Sequence, residues 1–150
     1  KNKMKLQEIR YREIGFNSKL KDFNTDVELK ITEYKASKGK EFFLEFVNKD
    51  DILFGLLRLR FSNTEISELK DCALIREIHI YGKALEIGRN LEGKEIAQHS
   101  GLGKRLMAEA EKIAKQNGYR KVAVISGIGV KEYYRKIGYK DEGNYMIKEL

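Results

Sequence analysis

Proline and tryptophan are absent from this chain of 150 residues, which has one cysteine and two histidines. The single Cys72 excludes an internal disulfide and a cysteine-cluster metal site. We expect it to be a small core residue in a reducing compartment, the cytoplasm. No run approaches the roughly 18 uninterrupted apolar residues of a membrane-spanning helix. These absences predict a chain that holds no metal and does not contact a membrane.

The remaining composition is that of one folded domain, because 41% of the residues are hydrophobic and the length suits a single core. We therefore treat residues 1–150 as one domain. The chain begins with Lys1 and not with methionine, so we expect it to be a fragment of a longer protein.

Positive charge is concentrated in two segments of a chain whose net charge is +7. Residues 1–12 hold five basic residues and one acidic residue, and residues 102–136 hold nine basic and three acidic residues. Concentrated positive charge favours an anionic partner such as a nucleotide cofactor or a nucleic acid. For any single lysine, the alternative is an ordinary solvated surface.

The hydrophobic pattern predicts strands first and a strand–helix–strand unit afterwards. Val27, Leu29 and Ile31 alternate with polar residues, and the segments 42–46 and 52–61 follow. With turns at 38–40 and 48–51, this pattern predicts an antiparallel meander. A strand over 72–81, a helix over 101–117 and a buried strand over 122–125 predict a parallel crossover. A short helix near 130–137 and a strand near 145–148 follow. The fold class is therefore α+β (mixed α/β), with one mixed sheet and helices on both faces.

The most informative segment is Gln98-His99-Ser100-Gly101-Leu102-Gly103, which immediately precedes the periodic helix. A glycine-rich turn at a helix start leaves backbone N–H groups unpaired at the positive end of the helix dipole. Such a turn binds a diphosphate without any particular side chain. The alternative is a helix that simply begins after flexible glycines.

A mixed sheet with Q-x-x-G-x-G between a strand and a helix resembles the GNAT acetyltransferase fold. The sequence resembles, more narrowly, the GNAT domain of the Elongator catalytic subunit, in the tRNA uridine acetyltransferase family. Six blocks carry this resemblance in the same order across roughly half of the chain: residues 76–82, 98–103, 106–111, 123–129, 133–139 and 145–148.

The resemblance implies an acyltransferase that uses acetyl-CoA to modify the wobble uridine of tRNA, in its anticodon region. In the whole family, a radical generated from S-adenosylmethionine at an iron–sulfur cluster joins the acetyl-derived group to the base. The cysteine cluster of that radical domain is absent from this sequence. The chain therefore resembles only the C-terminal acetyltransferase half, and we expect a radical S-adenosylmethionine domain in the parent protein.

The resemblance also implies a cofactor site. The strand before the glycine turn splays from its parallel neighbour, so that its main chain pairs with the pantetheine arm. Gly101 and Gly103 let the diphosphate approach the amides, because a Cβ would hold it away. Lys104 and Arg105 follow, where they could neutralise a phosphate or form a solvated helix face. The implied contacts to acetyl-CoA are Glu77, Ile78, His79 and Ile80 on the strand, and Ala97, Gln98 and His99 beside the diphosphate.

Tyr133 and Tyr134 are adjacent on the short helix and therefore face about 100° apart. The resemblance implies that Tyr134 donates a hydrogen bond to the departing thiolate and also contacts the cofactor. Tyr133 would line the acceptor side or enter the core. Glu77 is a possible general base, and neither His79 nor His99 receives that role.

Two other functions remain open at this point. The same fold could acetylate a lysine or a small amine. Alternatively, the chain could be a non-catalytic module that binds acetyl-CoA or tRNA.

Overall fold

Seven strands form one mixed sheet within the residues that the computed structural model describes, which are 26–62, 66–81, 101–125 and 131–150. Numbered along the chain, the strands are β1 (Glu28–Ala36), β2 (Gly39–Val47), β3 (Leu53–Phe61), β4 (Cys72–Ile80), β5 (Lys121–Ile125), β6 (Lys140–Glu142) and β7 (Tyr145–Glu149). Their spatial order is β1-β2-β3-β4-β5-β7-β6. Only β4 and β5 pair in parallel, and the other neighbours are antiparallel. The predicted meander, the parallel strand pair and the mixed α/β class are confirmed.

Apart from β6 and one 3₁₀ turn, the elements follow the chain in the order that the sequence predicts. The α-helices are α1 (Leu102–Gln116) and α2 (Lys131–Lys136), and a 3₁₀ turn covers Ser67–Leu69.

The first turn differs by one residue from the predicted one. β1 and β2 are joined by Ser37 and Lys38, whose φ angles are 44° and 63°. Such left-handed pairs match the twist of a two-residue hairpin. Gly39 already belongs to β2, where a Cβ would stand 2.7 Å from the carbonyl oxygen of Phe61. The glycine in the predicted turn therefore permits a close approach between strands and does not form the bend.

The main core lies between the sheet and the two α-helices. Every third or fourth residue of α1 is buried, as the helical period requires. Tyr134 of α2 belongs to the same cluster, so both described α-helices contribute to the core on one face of the sheet. The expectation of helices on both faces is therefore tested for this face only. The central members of this cluster are Phe42, Leu44, Phe46, Leu57, Leu59, Ile75, Leu102, Leu106, Ala110, Val122 and Val124.

The ends of the elements show which local signals were informative. α1 ends at Gln116 with Asn117 as its C-cap, and Gly118 follows with φ +85°, which confirms the predicted cap at Asn117-Gly118. β5 is buried on both faces, since Val122 and Val124 join the main cluster while Ala123 joins a second one. β6 was not predicted, because its three residues are charged and exposed and show no apolar alternation.

Candidate active site

β4 pairs with two strands over its first half and with one strand over its second half. Its parallel ladder with β5 ends at the pair Ile75 and Val124. Its antiparallel ladder with β3 continues to the pair Ile80 and Gly55. Among the described residues, the edge of 77–80 that faces β5 therefore has no strand partner. The parallel ladder thus ends where the resemblance implies that the two strands splay, and no described strand pairs with this edge of 77–80. We call the space beside this edge the cleft.

The start of α1 lies beside the end of β4, since a Cβ on Gly103 would stand 3.6 Å from Cγ1 of Ile80. Gly101 is the N-cap, with no side-chain hydrogen bond to the helix, and its carbonyl oxygen accepts from the N–H of Arg105 at 3.0 Å. The first N–H groups of a helix have no acceptor within it. Leu102 is fully buried and anchors the turn to the core. Among the described residues, no side chain caps the amides of this first turn, an arrangement that suits an anion.

The two glycines of this turn have different surroundings. A Cβ on Gly101 would meet no atom within 4 Å. A Cβ on Gly103 would stand 3.1 Å from the hydroxyl oxygen of Tyr133 and 3.6 Å from Cγ1 of Ile80. Gly103 therefore brings together the helix start, the end of β4 and the phenol of α2.

Tyr133, and not Tyr134, places its hydroxyl beside the turn. Tyr134 is only 5% exposed and lies in the main core, with its ring 5.9 Å from that of Tyr139. Tyr133 is half-buried, and its ring meets that of Tyr134 edge-on at 5.3 Å. Burial raises the pKa of both phenols, with a further contribution from Tyr133 at Tyr134. Both hydroxyls therefore stay protonated at neutral pH and can donate a hydrogen bond.

The side chains of 77–80 alternate between the two faces of the sheet. Ile78 packs against the main core, and Ile80 is 38% exposed next to Gly103. Glu77 pairs in register with Arg58, and its carboxylate oxygen lies 3.5 Å from Nε of that arginine. His79 is exposed, with its ring 6.2 Å from that of Tyr81. Glu77 and His79 therefore lie on the face opposite to Ile78 and Ile80.

The basic residues after the turn take different positions. Lys104 is exposed in the first turn of α1. The guanidinium of Arg105 lies 4.5 Å from the centre of the Phe46 ring, a cation–π contact with the sheet. Of the two, Lys104 is the better placed to meet a phosphate at the helix start. Ala97, Gln98 and His99 lie outside the described residues.

Charged contacts hold α2 against the last hairpin. Asp141 of β6 accepts from Lys131 at 2.9 Å and from Arg135 at 2.7 Å. These hydrogen bonds lower the pKa of Asp141 below its usual range. The sequence analysis did not predict this contact. The available signal was the spacing of Lys131 and Arg135, four positions apart, with Asp141 six positions after the arginine.

Among the described residues, no group of three histidine, cysteine or acidic side chains is placed to hold a metal ion. No helix in the same part of the chain is long and apolar enough to cross a membrane.

The described residues have a fold that is found in a known class of protein. Residues 94–149 match the family described as acetyltransferase (GNAT) domain, and this segment contains α1, β5, α2, β6 and β7. The mixed sheet and these helices have the GNAT fold.

The nearer relatives are larger proteins. The tRNA uridine(34) acetyltransferase of Dehalococcoides mccartyi is 40% identical over 95% of this chain and 32% of its own length. Elongator complex protein 3 of Dictyostelium discoideum is 44% identical over 97% of this chain and 27% of its own. The structure of Methanocaldococcus infernus Elp3 matches with 40% identity and a TM-score of 0.77, over 95% of this chain and 35% of that one. The chain is homologous to these proteins and spans about a third of their length.

Proposed function

We propose that this chain binds acetyl-CoA in the cleft between β4 and β5 and activates its acetyl group for modification of the wobble uridine of tRNA. The observation that carries this proposal is the meeting of three elements around Gly103: the unpaired edge of β4, the start of α1 and the hydroxyl of Tyr133. An acyl donor with a diphosphate and an amide-rich arm matches these groups.

We assign partners to the pantetheine arm and to the diphosphate of the cofactor. The main chain of Glu77, Ile78, His79 and Ile80 would pair with the amides of the pantetheine arm, as an added strand pairs with a sheet edge. The amides at Gly101 and Gly103 would bind the diphosphate, with Lys104 neutralising charge. Ala97, Gln98 and His99 are proposed to border the same diphosphate.

Tyr133 is the phenol that we assign to the departing thiolate. The resemblance pointed to Tyr134, but the burial of Tyr134 in the core favours its neighbour for this role. When an acceptor attacks the thioester carbonyl, the carbon–sulfur bond breaks and the electron pair goes to sulfur. A protonated phenol that donates to this sulfur stabilises the thiolate as it forms. Tyr134 then supports the ring of Tyr133 from the core.

Glu77 stays a proposed base on the acceptor side. Its carboxylate lies on the face of β4 opposite to Ile80, so it would meet an acceptor that enters from that face. Arg58 lies 3.5 Å from this carboxylate and pairs with it across β3 and β4.

The tRNA assignment rests on the relatives and on charge. The names of the relatives include uridine 34 of tRNA, and residues 102–136 of this chain are strongly basic. Binding through phosphates would fall steeply with salt. S-adenosylmethionine and an iron–sulfur cluster belong to the implied radical domain. This chain does not fit the cluster, because cysteine thiolates hold such clusters and the sequence has only the buried Cys72.

Release of thiol from acetyl-CoA, measured with and without tRNA, tests the proposal. We expect coenzyme A to bind and tRNA to increase thiol release. Steady acetylation of a lysine peptide or polyamine that tRNA does not change would favour the amine acetyltransferase instead. Binding without any turnover would indicate a non-catalytic module, and absence of both binding and release would end the proposal.

A further inference from the structure

The main chain of β4 changes its course at Arg76. The pairing of β4 with β3 shifts between Arg58 and Leu59, which leaves Arg76 as an extra residue, a β-bulge. The last pair between β4 and β5 is Ile75 with Val124. Arg76 is therefore both the bulge residue and the first residue beyond the parallel ladder. The cleft opens at this bulge.

The side chain of Arg76 is held by a carboxylate from another strand. Glu41 lies on β2, and its side chain is only 2% exposed. Its Oε1 accepts from Nη1 of Arg76 at 2.6 Å and from Nη1 of Arg60 at 3.2 Å, while Oε2 accepts from the hydroxyl of Tyr34 at 2.7 Å. One buried carboxylate thus joins residues from four adjacent strands.

The charge on Glu41 is stabilised within this cluster. Burial alone would raise the pKa of Glu41, but the hydrogen bonds from Tyr34, Arg76 and Arg60 lower it below its ordinary value. Charge-assisted hydrogen bonds to a buried carboxylate are short and directional. Arg60 also donates to the carbonyl oxygens of Ala36 and Ser37, at the end of β1 and in the turn after it. Arg60 therefore links the carboxylate of Glu41 to this turn.

We propose that Glu41 is a positioning residue for the acetyl-CoA cleft, and that it acts through Arg76. By holding the guanidinium of the bulge residue, Glu41 sets the course of 77–80 away from β5 and so the direction of their free N–H and carbonyl groups. Without this contact the bulge can relax, and the edge loses the alignment that the pantetheine arm requires. This inference rests on the proposed function, because the proposed function makes acetyl-CoA the ligand of the strand edge at 77–80.

The test compares affinity for coenzyme A with thermal stability in four variants. Arg76→Met removes the charge, Arg76→Lys retains it, and Glu41→Gln removes the acceptor charge at constant size. Glu33→Gln is the matched control, since Glu33 is an exposed carboxylate on β1 that pairs with Lys40 and does not contact the bulge. Calorimetric titration with coenzyme A and amide hydrogen exchange of 77–80 are measured below the melting transition of each variant.

We expect the Kd for coenzyme A to rise about tenfold in Arg76→Met and Glu41→Gln, with faster exchange of the amides of 77–80. Arg76→Lys should recover part of the affinity, and Glu33→Gln should bind as the unmodified chain does. A lower melting temperature with unchanged Kd and exchange would mean that the cluster serves stability alone, which would overturn the inference. If Arg76→Met does not fold, Arg76→Lys and Glu41→Gln give the same comparison.

Failure of the proposed function has a different signature. In that case the unmodified chain does not bind coenzyme A at all. The exchange rates of 77–80 in the free variants still decide whether Glu41 holds the bulge, because they need no ligand. Unchanged exchange in both Arg76→Met and Glu41→Gln would overturn the positioning role.

Discussion

The hydroxyl oxygen of Tyr133 lies 3.1 Å from the point where a Cβ would stand on Gly103. This distance links the short helix α2 to the first turn of α1. Because Ile80 of β4 lies 3.6 Å from the same point, the three elements of the proposed cleft meet there. Substitutions at these positions can therefore separate the role of the phenol from that of the turn.

Replacing Tyr133 by phenylalanine should slow thiol release from acetyl-CoA by about 100-fold, because the departing thiolate loses its proposed hydrogen-bond donor. The Kd for coenzyme A should change little, since the ring and its contact with Tyr134 remain. Steady-state kinetics with acetyl-CoA and tRNA measure the effect. Tyr134→Phe is the matched control. A larger loss of kcat in that variant would indicate that Tyr134, and not Tyr133, donates to the departing thiolate.

Alanine at Gly103 and at Gly101 should act by different physical causes. In Gly103→Ala the new Cβ meets Tyr133 in the free chain, so both the melting temperature and the affinity for coenzyme A should fall. In Gly101→Ala the Cβ enters open space in the free chain, so the melting temperature should hold.

Affinity should nevertheless fall in Gly101→Ala, by about tenfold or 1.4 kcal/mol, because the Cβ keeps the diphosphate from the amides. Scanning calorimetry and titration with coenzyme A provide the two measurements. Unchanged affinity in Gly101→Ala would show that the diphosphate does not bind at this turn.

Stability should decline as the pH falls below about 4.5, the ordinary pKa of a glutamate. Folding lowers the pKa of Glu41, so its contribution is fully present above the unfolded value and is lost as the pH falls through the folded one. Asp141, whose pKa is also lowered, contributes in the acidic range. Melting temperatures from pH 7 to pH 3 measure this decline.

Glu41→Gln provides the control for this pH dependence. Its melting temperature should lie below that of the unmodified chain at pH 7, and the difference should shrink toward pH 3. A difference that stays constant over the whole range would contradict the assignment of the acid sensitivity to Glu41.

Tyr139→Phe should destabilise the fold by about 1–3 kcal/mol, because the hydroxyl donates to Oε1 of Glu111 at 2.9 Å inside the core. Lys148 still contacts the other oxygen of that carboxylate, at 3.1 Å, which limits the loss. Urea unfolding measures the difference. Tyr119→Phe is the control, because it retains the ring that stacks on Phe61 at 4.4 Å, and an equal loss there would rule out the hydroxyl of Tyr139 as the cause.

Several features of the site were predicted from the sequence because local patterns carry them. The glycines at 101 and 103, the periodic helix after them and the cap at Gly118 are encoded within a few residues of one another. The resemblance added the cleft and the pair of tyrosines. It implied Tyr134 for the thiolate, whereas the hydroxyl that lies beside Gly103 is that of Tyr133, and the rotation of a six-residue helix depends on what packs against it.

The sequence by itself determined the order of strands and helices, the glycine turn and the excess of positive charge, because periodicity, glycine conformation and charge are local properties. Only the tertiary structure decided which tyrosine reaches Gly103 and where β4 leaves β5. It also decided that Glu41 joins Arg76, which is 35 residues away in the chain. These relationships depend on strand register and on a bulge, which arise when distant segments pair and which no local pattern encodes.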